Sequence, residues 1–423
     1  MADRTARGAA DRQDVTVLEE SWQDHAHELY RGWRETGGIR YVRYPGPGAV
    51  EGWVVTGHAE AKALLVDPRL SKNQAVQRFG QQVGLTQGPG AAMFSHMLNS
   101  DPPDHTRLRS LVQKAFTARR TAGLRPMIEK HVDGLLDALE AEGPRGGGRG
   151  GGGTAGEAEL ISQFALPLPV AVVFDLFGAS DTDHEILQIR GNSLGGGQGD
   201  GEVSVFTAES MLAYLRALIA LKREHPDEDG LLSALFAARE EDGDALTEDE
   251  ITSMAFLLFV AGHQTTVNLL ANGIHALLAH PEQLAALRAD RTLVHGAVEE
   301  ALRYESPSGL ASFRYATTTI EVNGATIREG DFVQICLLGA DRDPAVFADP
   351  DTFDIRRPDA ARHLAFGHGI HHCLGAPLAR LQAEIALTRL LDRFPGLRPH
   401  EEHEARWQSN PRHRGLLSLP VHL

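Results

Sequence analysis

The residues best equipped for chemistry lie in FGHGIHHCLGAPLAR, Phe366 to Arg380. His368, His371 and His372 lead into Cys373, and a helix is expected from near Gly375 to about Arg393. A thiol just before a helix start faces unpaired N–H groups and the positive end of the helix dipole. Both lower its pKa and suit the thiolate to hold a metal. Glycines at 367, 369 and 375 would let the backbone approach a large planar ligand closely. Two other readings compete. A zinc site of His368, His371, His372 and Cys373 has suitable ligand types, but four ligands within six residues do not match the usual spacings. A nucleophilic cysteine paired with histidine is the second alternative.

VAGHQTT, Val260 to Thr266, places Gly, His, Gln and two Thr inside an otherwise apolar helical pattern. Alone it reads as a core helix with satisfied polar side chains. The helix is expected over Thr247 to His280, opened by a capping box of Thr247 and Glu250 and closed at His280-Pro281. It would span roughly 50 Å, a central strut. EEALR puts Glu300 and Arg303 on one helix face, in isolation a solvated bridge worth about 0.2–0.5 kcal/mol. DPPDHTRLR starts a helix at Asp101 and Pro102 and sets His105 one turn before Arg109, alone an exposed basic face.

Further helices are expected over 157–178, 206–224, 281–289 and 293–304, and strands at Trp53-Val-Val-Thr, Thr319-Ile-Glu-Val and Phe332-Val-Gln-Ile-Cys, with a turn at Asn323-Gly324. The fold class is mainly α with a small β region (α+β), in one domain over 1–423. Residues 1–15 read as a flexible N-terminus, and 145–153 and 195–201 as Gly-rich loops. A net charge of -16 argues against nucleic acid as a partner. Cys336 and Cys373, the two cysteines, are too few for a disulfide framework and point to a cytoplasmic setting. The charged N-terminus is followed by no apolar secretory segment, and no apolar run is expected to reach the ~18 residues of a membrane span.

Phe366 to Gly375 resembles, residue for residue, the haem-binding loop of the cytochrome P-450 monooxygenases, whose pattern FxxGxHxCxG is met by Phe366, Gly369, His371, Cys373 and Gly375. The resemblance implies the cytochrome P-450 fold, with haem b between the long central helix and the helix after Cys373. It makes Cys373 the thiolate ligand of the haem iron, the ligand type that favours O–O cleavage. Phe366 would pack by the sulfur, and His371 would bond a propionate. His105, Arg109 and Arg314 match further propionate contacts, where Arg offers a bidentate fork. Glu300 and Arg303 resemble the family's ExxR pair, joined in a buried network by Arg357 and holding the cysteine loop.

The same resemblance assigns VAGHQTT to the distal oxygen site, at a kink. Ala261, Gly262, Thr265 and Thr266 fit (A/G)Gx(D/E)TT, with Gly262 leaving room for dioxygen and Thr265 hydrogen-bonding it or a proton-delivering water. Gln264 departs from the pattern, because an amide cannot carry the proton that the usual acid relays. His263 is expected to face neighbouring helices. The implied activity is RH + O2 + two electrons + two protons giving ROH and water, on a hydrophobic natural product such as a polyketide or macrolide. Electrons would come from a separate ferredoxin and ferredoxin reductase, with Arg107 and Lys114 either docking the partner or serving as solvated surface charges. The implied pocket draws on the 75–98 loop, Leu98, Leu258, Leu310, Phe313 and Leu416. Alternatives are atypical oxidation on the same haem fold (aromatic coupling, epoxidation or peroxide-driven chemistry) and a non-catalytic haem-binding sensor or carrier.

Overall fold

The polar patch at 260–266 does not end the helix around it. In the computed structural model an uninterrupted helix runs Glu248–Ala279, with the capping box formed: the Thr247 hydroxyl accepts from the Glu250 N–H at 3.2 Å, and the Glu250 carboxylate accepts from the Thr247 N–H at 2.8 Å. Within the patch, the Thr265 and Thr266 hydroxyls donate to the carbonyls of Ala261 and Gly262 at 2.8 and 3.0 Å. Polar side chains that bond back into the helix cost it little. Described residues are 15–46, 50–75, 77, 95–142, 156–179, 203–226, 230–401, 403–410 and 412–423. The N-terminal segment 1–14, the loops at 145–153 and 195–201, and residues 76 and 78–94 of the pocket loop lie outside them.

This helix is the strut on which the α-helical layer packs. Pro167–Phe177, Val203–Glu224, Val294–Tyr304 and Ala376–Arg393 all contact it. By length and composition it could cross a membrane, which corrects the expectation that Gly262, His263 and Gln264 interrupt the apolar run. No charged residue occurs between Ile251 and Ala279, but 61% of the apolar window is buried inside the protein.

Helices at Val203–Glu224, Pro281–Ala289 and Val294–Tyr304 fall near their expected positions. The helix expected over 157–178 divides instead into the strand Glu157–Glu159, a π-turn Ile161–Ala165 and the α-helix Pro167–Phe177. Pro167, which has no N–H to give a preceding turn, restarts the helix from its first position. The helix carrying His105 begins at Asp104 rather than Asp101. Asp101 is engaged elsewhere, accepting from the Ser71 hydroxyl and from the Lys72 N–H at 2.6 and 2.8 Å.

The expected strands pair with one another. Glu51–Val55 runs parallel to Phe332–Ile335, with Trp53 opposite Val333, and antiparallel to Ile39–Arg43. The six-stranded sheet continues from Phe332–Ile335 through Arg314–Ala316 to Leu70–Ser71. This register sets Arg314 opposite Val333 and brings Lys72 to the same sheet edge. The Asn323-Gly324 turn joins Ile320–Val322 to Ala325–Ile327 as a separate hairpin.

Close backbone approach is decisive at Gly296 on the helix Val294–Tyr304, where an added Cβ would lie 2.4 Å from the Ile355 carbonyl oxygen. Gly296→Ala should therefore destabilise the protein by about 1–3 kcal/mol, although Ala gains about 1 kcal/mol over Gly in an open helix. Thermal denaturation of the two proteins checks the sign.

Candidate functional site

The loop before Ala376–Arg393 folds back on itself. The Cys373 N–H donates to the Phe366 carbonyl at 2.9 Å, and the His372 N–H to that of Gly369 at 3.0 Å. Gly367 and Gly369 hold φ of +71° and +75°, values favouring glycine. At Gly369 a Cβ would also stand 2.4 Å from Val66. The Cys373 side chain is accessible, yet enough protein surrounds it that burial raises its pKa. N–H groups of Gly375 and Ala376, with Arg109 and Arg380, oppose that rise without overcoming it. The expected lowering by the helix start is therefore outweighed by desolvation until a cation meets the sulfur.

Beside the loop the structure gathers cations with almost no anions. His105 and His371 stack edge to face at 4.3 Å, and both ring nitrogens of the buried His105 lack partners. Arg109 donates to the His372 carbonyl at 2.8 Å, and buried Arg314 to that of Ser312 at 2.8 Å. No described carboxylate forms an ion pair with either arginine. Burial, then Lys72, His105, Arg314 and Arg109, push the His371 pKa down to about 2. Burial lowers Arg314 to about 10 against a weak pull from Asp101.

On the central helix, the residues around the patch sort by face. Phe259, His263, Thr266 and Val267 are buried, while Leu258, Ala261, Gly262 and Thr265 retain access. His263 turns into the core as expected, its Nδ1 bonded to the Phe259 carbonyl at 3.0 Å. Gln264 donates to the Asn268 side chain at 3.2 Å, and Asn268 in turn to the Pro307 carbonyl at 3.4 Å. A Cβ at Gly262 would lie 3.3 Å from Val173, so the glycine also serves helix packing.

Glu300 and Arg303 are fully buried. Their side chains pair through two bonds of 2.7 and 2.8 Å, and Arg357 reaches Glu300 at 3.2 Å. Arg303 also donates to the carbonyls of Asp341, Pro350 and Thr352, and the Asp354 N–H to Glu300 at 2.9 Å. This is the bidentate, fully satisfied form of a buried pair.

A cytochrome P450 family profile matches residues 208–421. The chain is 44% identical to cytochrome P450 monooxygenase PikC of Streptomyces venezuelae, covering 99% of this chain and 96% of that one. It is 43% identical to cytochrome P450 107B1 of Saccharopolyspora erythraea, over 96% and 97% of the two. The tirandamycin C-bound P450 monooxygenase TamI superposes with a TM-score of 0.84 at 41% identity, over 96% of this chain and all of that one. The chain belongs to the cytochrome P450 family. It is accordingly an oxidoreductase, a monooxygenase that works with haem, dioxygen, a redox partner and an organic substrate.

The residues present fit the P450 haem. A thiol with an open face lies beside unpaired guanidinium groups and an imidazole whose two nitrogens are orphaned in the protein alone, as two carboxylates and a metal require. Lys72, buried and bonded to the Ser312 hydroxyl, joins this set and was not foreseen. Glu299 was also missed: it pairs with Arg380 at 2.5 Å and lies 3.4 Å from His363, while Arg380 covers the Phe366 ring at 4.6 Å. Its neighbour Glu300 drew the motif, but Arg380 in the cysteine stretch was the available signal.

Other expectations need correction. Leu310 and Leu416 are each 1% exposed and belong to core clusters, whereas Leu98, Leu258 and Phe313 stay partly accessible. Arg107 pairs with Asp244 and Glu250 at 2.6 Å and Lys114 with Glu240 at 2.8 Å. Both cations are paired within the chain at a partly exposed surface, which favours the solvated-charge reading over the docking one. A surface groove of about 560 Å³ between Arg125–Glu142 and Ala376–Arg393 is lined by paired charges such as Arg389 and Asp133, not by the cysteine loop.

Burial alone would raise the Glu299 pKa, but His363 and Arg380 hold it at about 2, against an ordinary 4.5. A depressed folded-state pKa gives stability that is complete above the unfolded value and is lost as pH falls toward 2. From pH 6 to pH 3 the unaltered protein should lose about 2 kcal/mol more than Glu299→Gln, measured by denaturant unfolding at both pH values.

Proposed function

We propose that Cys373 would hold the iron of haem b as a thiolate, and that His105, Arg109, His371 and Arg314 would hold its two propionates. Supporting this is one arrangement: an accessible thiol ahead of a helix start, flanked by buried Arg314 and half-buried Arg109, neither with a carboxylate partner among the described residues. When bound, haem supplies the insertion of one oxygen atom of O2 into the substrate, RH + O2 + two electrons + two protons giving ROH and water. The protein supplies the geometry around it. Glu300, Arg303 and Arg357 pin the segments flanking the cysteine loop. Phe366 lies under Arg380 and its carbonyl accepts from the Cys373 N–H, and Gly369 and Gly375 shape the loop.

On the central helix, Ala261 and Gly262 keep the accessible face free of bulk. Thr265 holds a hydroxyl there, which donates to the Ala261 carbonyl at 2.8 Å and can rotate to pass a proton from water. Gln264 cannot ionise, and Asn268 fixes it along the helix; its part is to orient a water, not to relay a proton. Leu98, Leu258 and Phe313 form the apolar lining that keeps bulk water out.

The substrate class is a hydrophobic natural product of the polyketide or macrolide kind, hydroxylated in the cytoplasm, with electrons from a separate ferredoxin and ferredoxin reductase. Among similar proteins, TamI was solved with tirandamycin C bound, and LnmA, 37% identical, is a hydroxylase of the leinamycin biosynthetic pathway. Turnover with a surrogate ferredoxin pair under isotope-labelled dioxygen should place one labelled atom in the product; product without label would sink the monooxygenase reading. In Thr265→Ala, product per electron pair should fall by about tenfold or more, with peroxide released instead, while haem binding is unchanged.

A further inference from the structure

The turn at 412–416 carries two arginines in opposite situations. Arg414 is saturated: Glu305 accepts from it at 3.1 Å, the Gln23 carbonyl accepts a second bond, and the Trp407 ring lies 3.4 Å from its guanidinium carbon. Arg412, two residues earlier, has no carboxylate at ion-pair distance among the described residues. Its guanidinium carbon stands 5.8 Å from the centre of the Phe313 ring, and its carbonyl accepts from the Leu310 N–H at 3.4 Å. Burial lowers its pKa, and no acid opposes the shift.

The neighbours of Arg412 include Phe313, assigned above to the apolar lining. Its charge acts on Lys72, on His96 and on His413, and His413 also feels His263 of the central helix. The charges acting most strongly on His371 are Lys72, His105, Arg314 and Arg109, without Arg412, and Lys72 is shared between that set and the surroundings of Arg412. Around Arg412, two imidazoles each keep an unpartnered nitrogen: Nδ1 of His413 and Nδ1 of His96, which is only 4% exposed. Burial holds both rings neutral at neutral pH, with pKa values of about 3. A neutral imidazole can offer one N–H.

The described segments near Arg412 share one further property. Residues 72–75, 95–100, 251–279, 306–320, 405–410 and 412–423 contain no Asp or Glu. Gln264, where the family usually has an acid, belongs to the same pattern. A guanidinium set among apolar side chains without a carboxylate is costly, unless a ligand brings one.

We propose that Arg412 determines specificity by binding a carboxylate on an otherwise apolar substrate, with His96 and His413 supplying neutral N–H donors beside it. The planar fork of Arg412 matches a carboxylate bidentately. The Phe313 ring, edge to face with Phe332 at 5.2 Å, then takes the apolar part of the molecule next to the acid. This rests on the monooxygenase reading and names the substrate class at that same site.

Calorimetric titration of the haem-loaded full chain with dodecanoate and with dodecan-1-ol tests it. Dodecanoate should bind at least about tenfold more tightly than the alcohol. In Arg412→Leu the two should bind within about threefold of each other, with alcohol affinity kept, and Arg412→Lys should retain part of the preference. Haem stoichiometry and circular dichroism show that each variant is folded. Absence of acid binding, absence of preference in the unaltered protein, or full preference in Arg412→Leu would overturn the proposal. If labelled oxygen is incorporated while acid preference is missing, this inference alone falls. If acid preference depends on Arg412 but no label is incorporated, the carboxylate site stands and the monooxygenase reading falls.

Discussion

Desolvated positive charge is expensive, and a folded chain ordinarily sets a carboxylate against every buried guanidinium. This protein follows that practice around Glu300, Glu305 and Glu299, where Arg303, Arg357, Arg414 and Arg380 are all paired. It departs from it beside the cysteine loop, where Arg109, Arg314 and Lys72 lie among imidazoles with only Asp101 nearby. The rest of the architecture makes that departure tolerable. The sheet fixes Arg314 through Val333, the helix from Asp104 carries His105 and Arg109, and the saturated pairs hold the surrounding backbone. A prosthetic group with two carboxylates and a metal balances charge and sulfur together.

The two kinds of buried arginine divide the labour. Paired arginines stabilise: Arg303 ties one helix to three carbonyls of the segment preceding the cysteine loop. Unpaired ones keep hydrogen-bonding capacity that the proposed haem and substrate carboxylates would take up. The same contrast within one turn, Arg414 against Arg412, extends the principle from cofactor to substrate. Gln264 fits it too, because an acid on the central helix would add a negative charge to a region otherwise free of them.

Much of this was legible in the sequence because the chemistry is local. The cysteine stretch, the Glu300–Arg303 spacing, the His105–Arg109 spacing and the capping box at Thr247 each sit within one helix or loop, where periodicity sets the geometry. Relations across the chain were not legible. Lys72 reaches Ser312 only because strands Leu70–Ser71 and Arg314–Ala316 are neighbours. Leu310 and Leu416 look like pocket residues by position, but sheet and core packing bury them. The Cys373 pKa was misjudged because a helix dipole is visible in sequence whereas burial is not.

The central claim is that Cys373 holds haem iron as a thiolate. The optical spectrum of the reduced, carbon-monoxide-bound protein reads that bond directly, compared between the unaltered chain and Cys373→Ser. The unaltered protein should show the strongly red-shifted Soret band of thiolate ligation, and the serine variant should lose it while remaining folded. A haem-loaded unaltered protein without that band, or the same band in both proteins, would contradict the assignment.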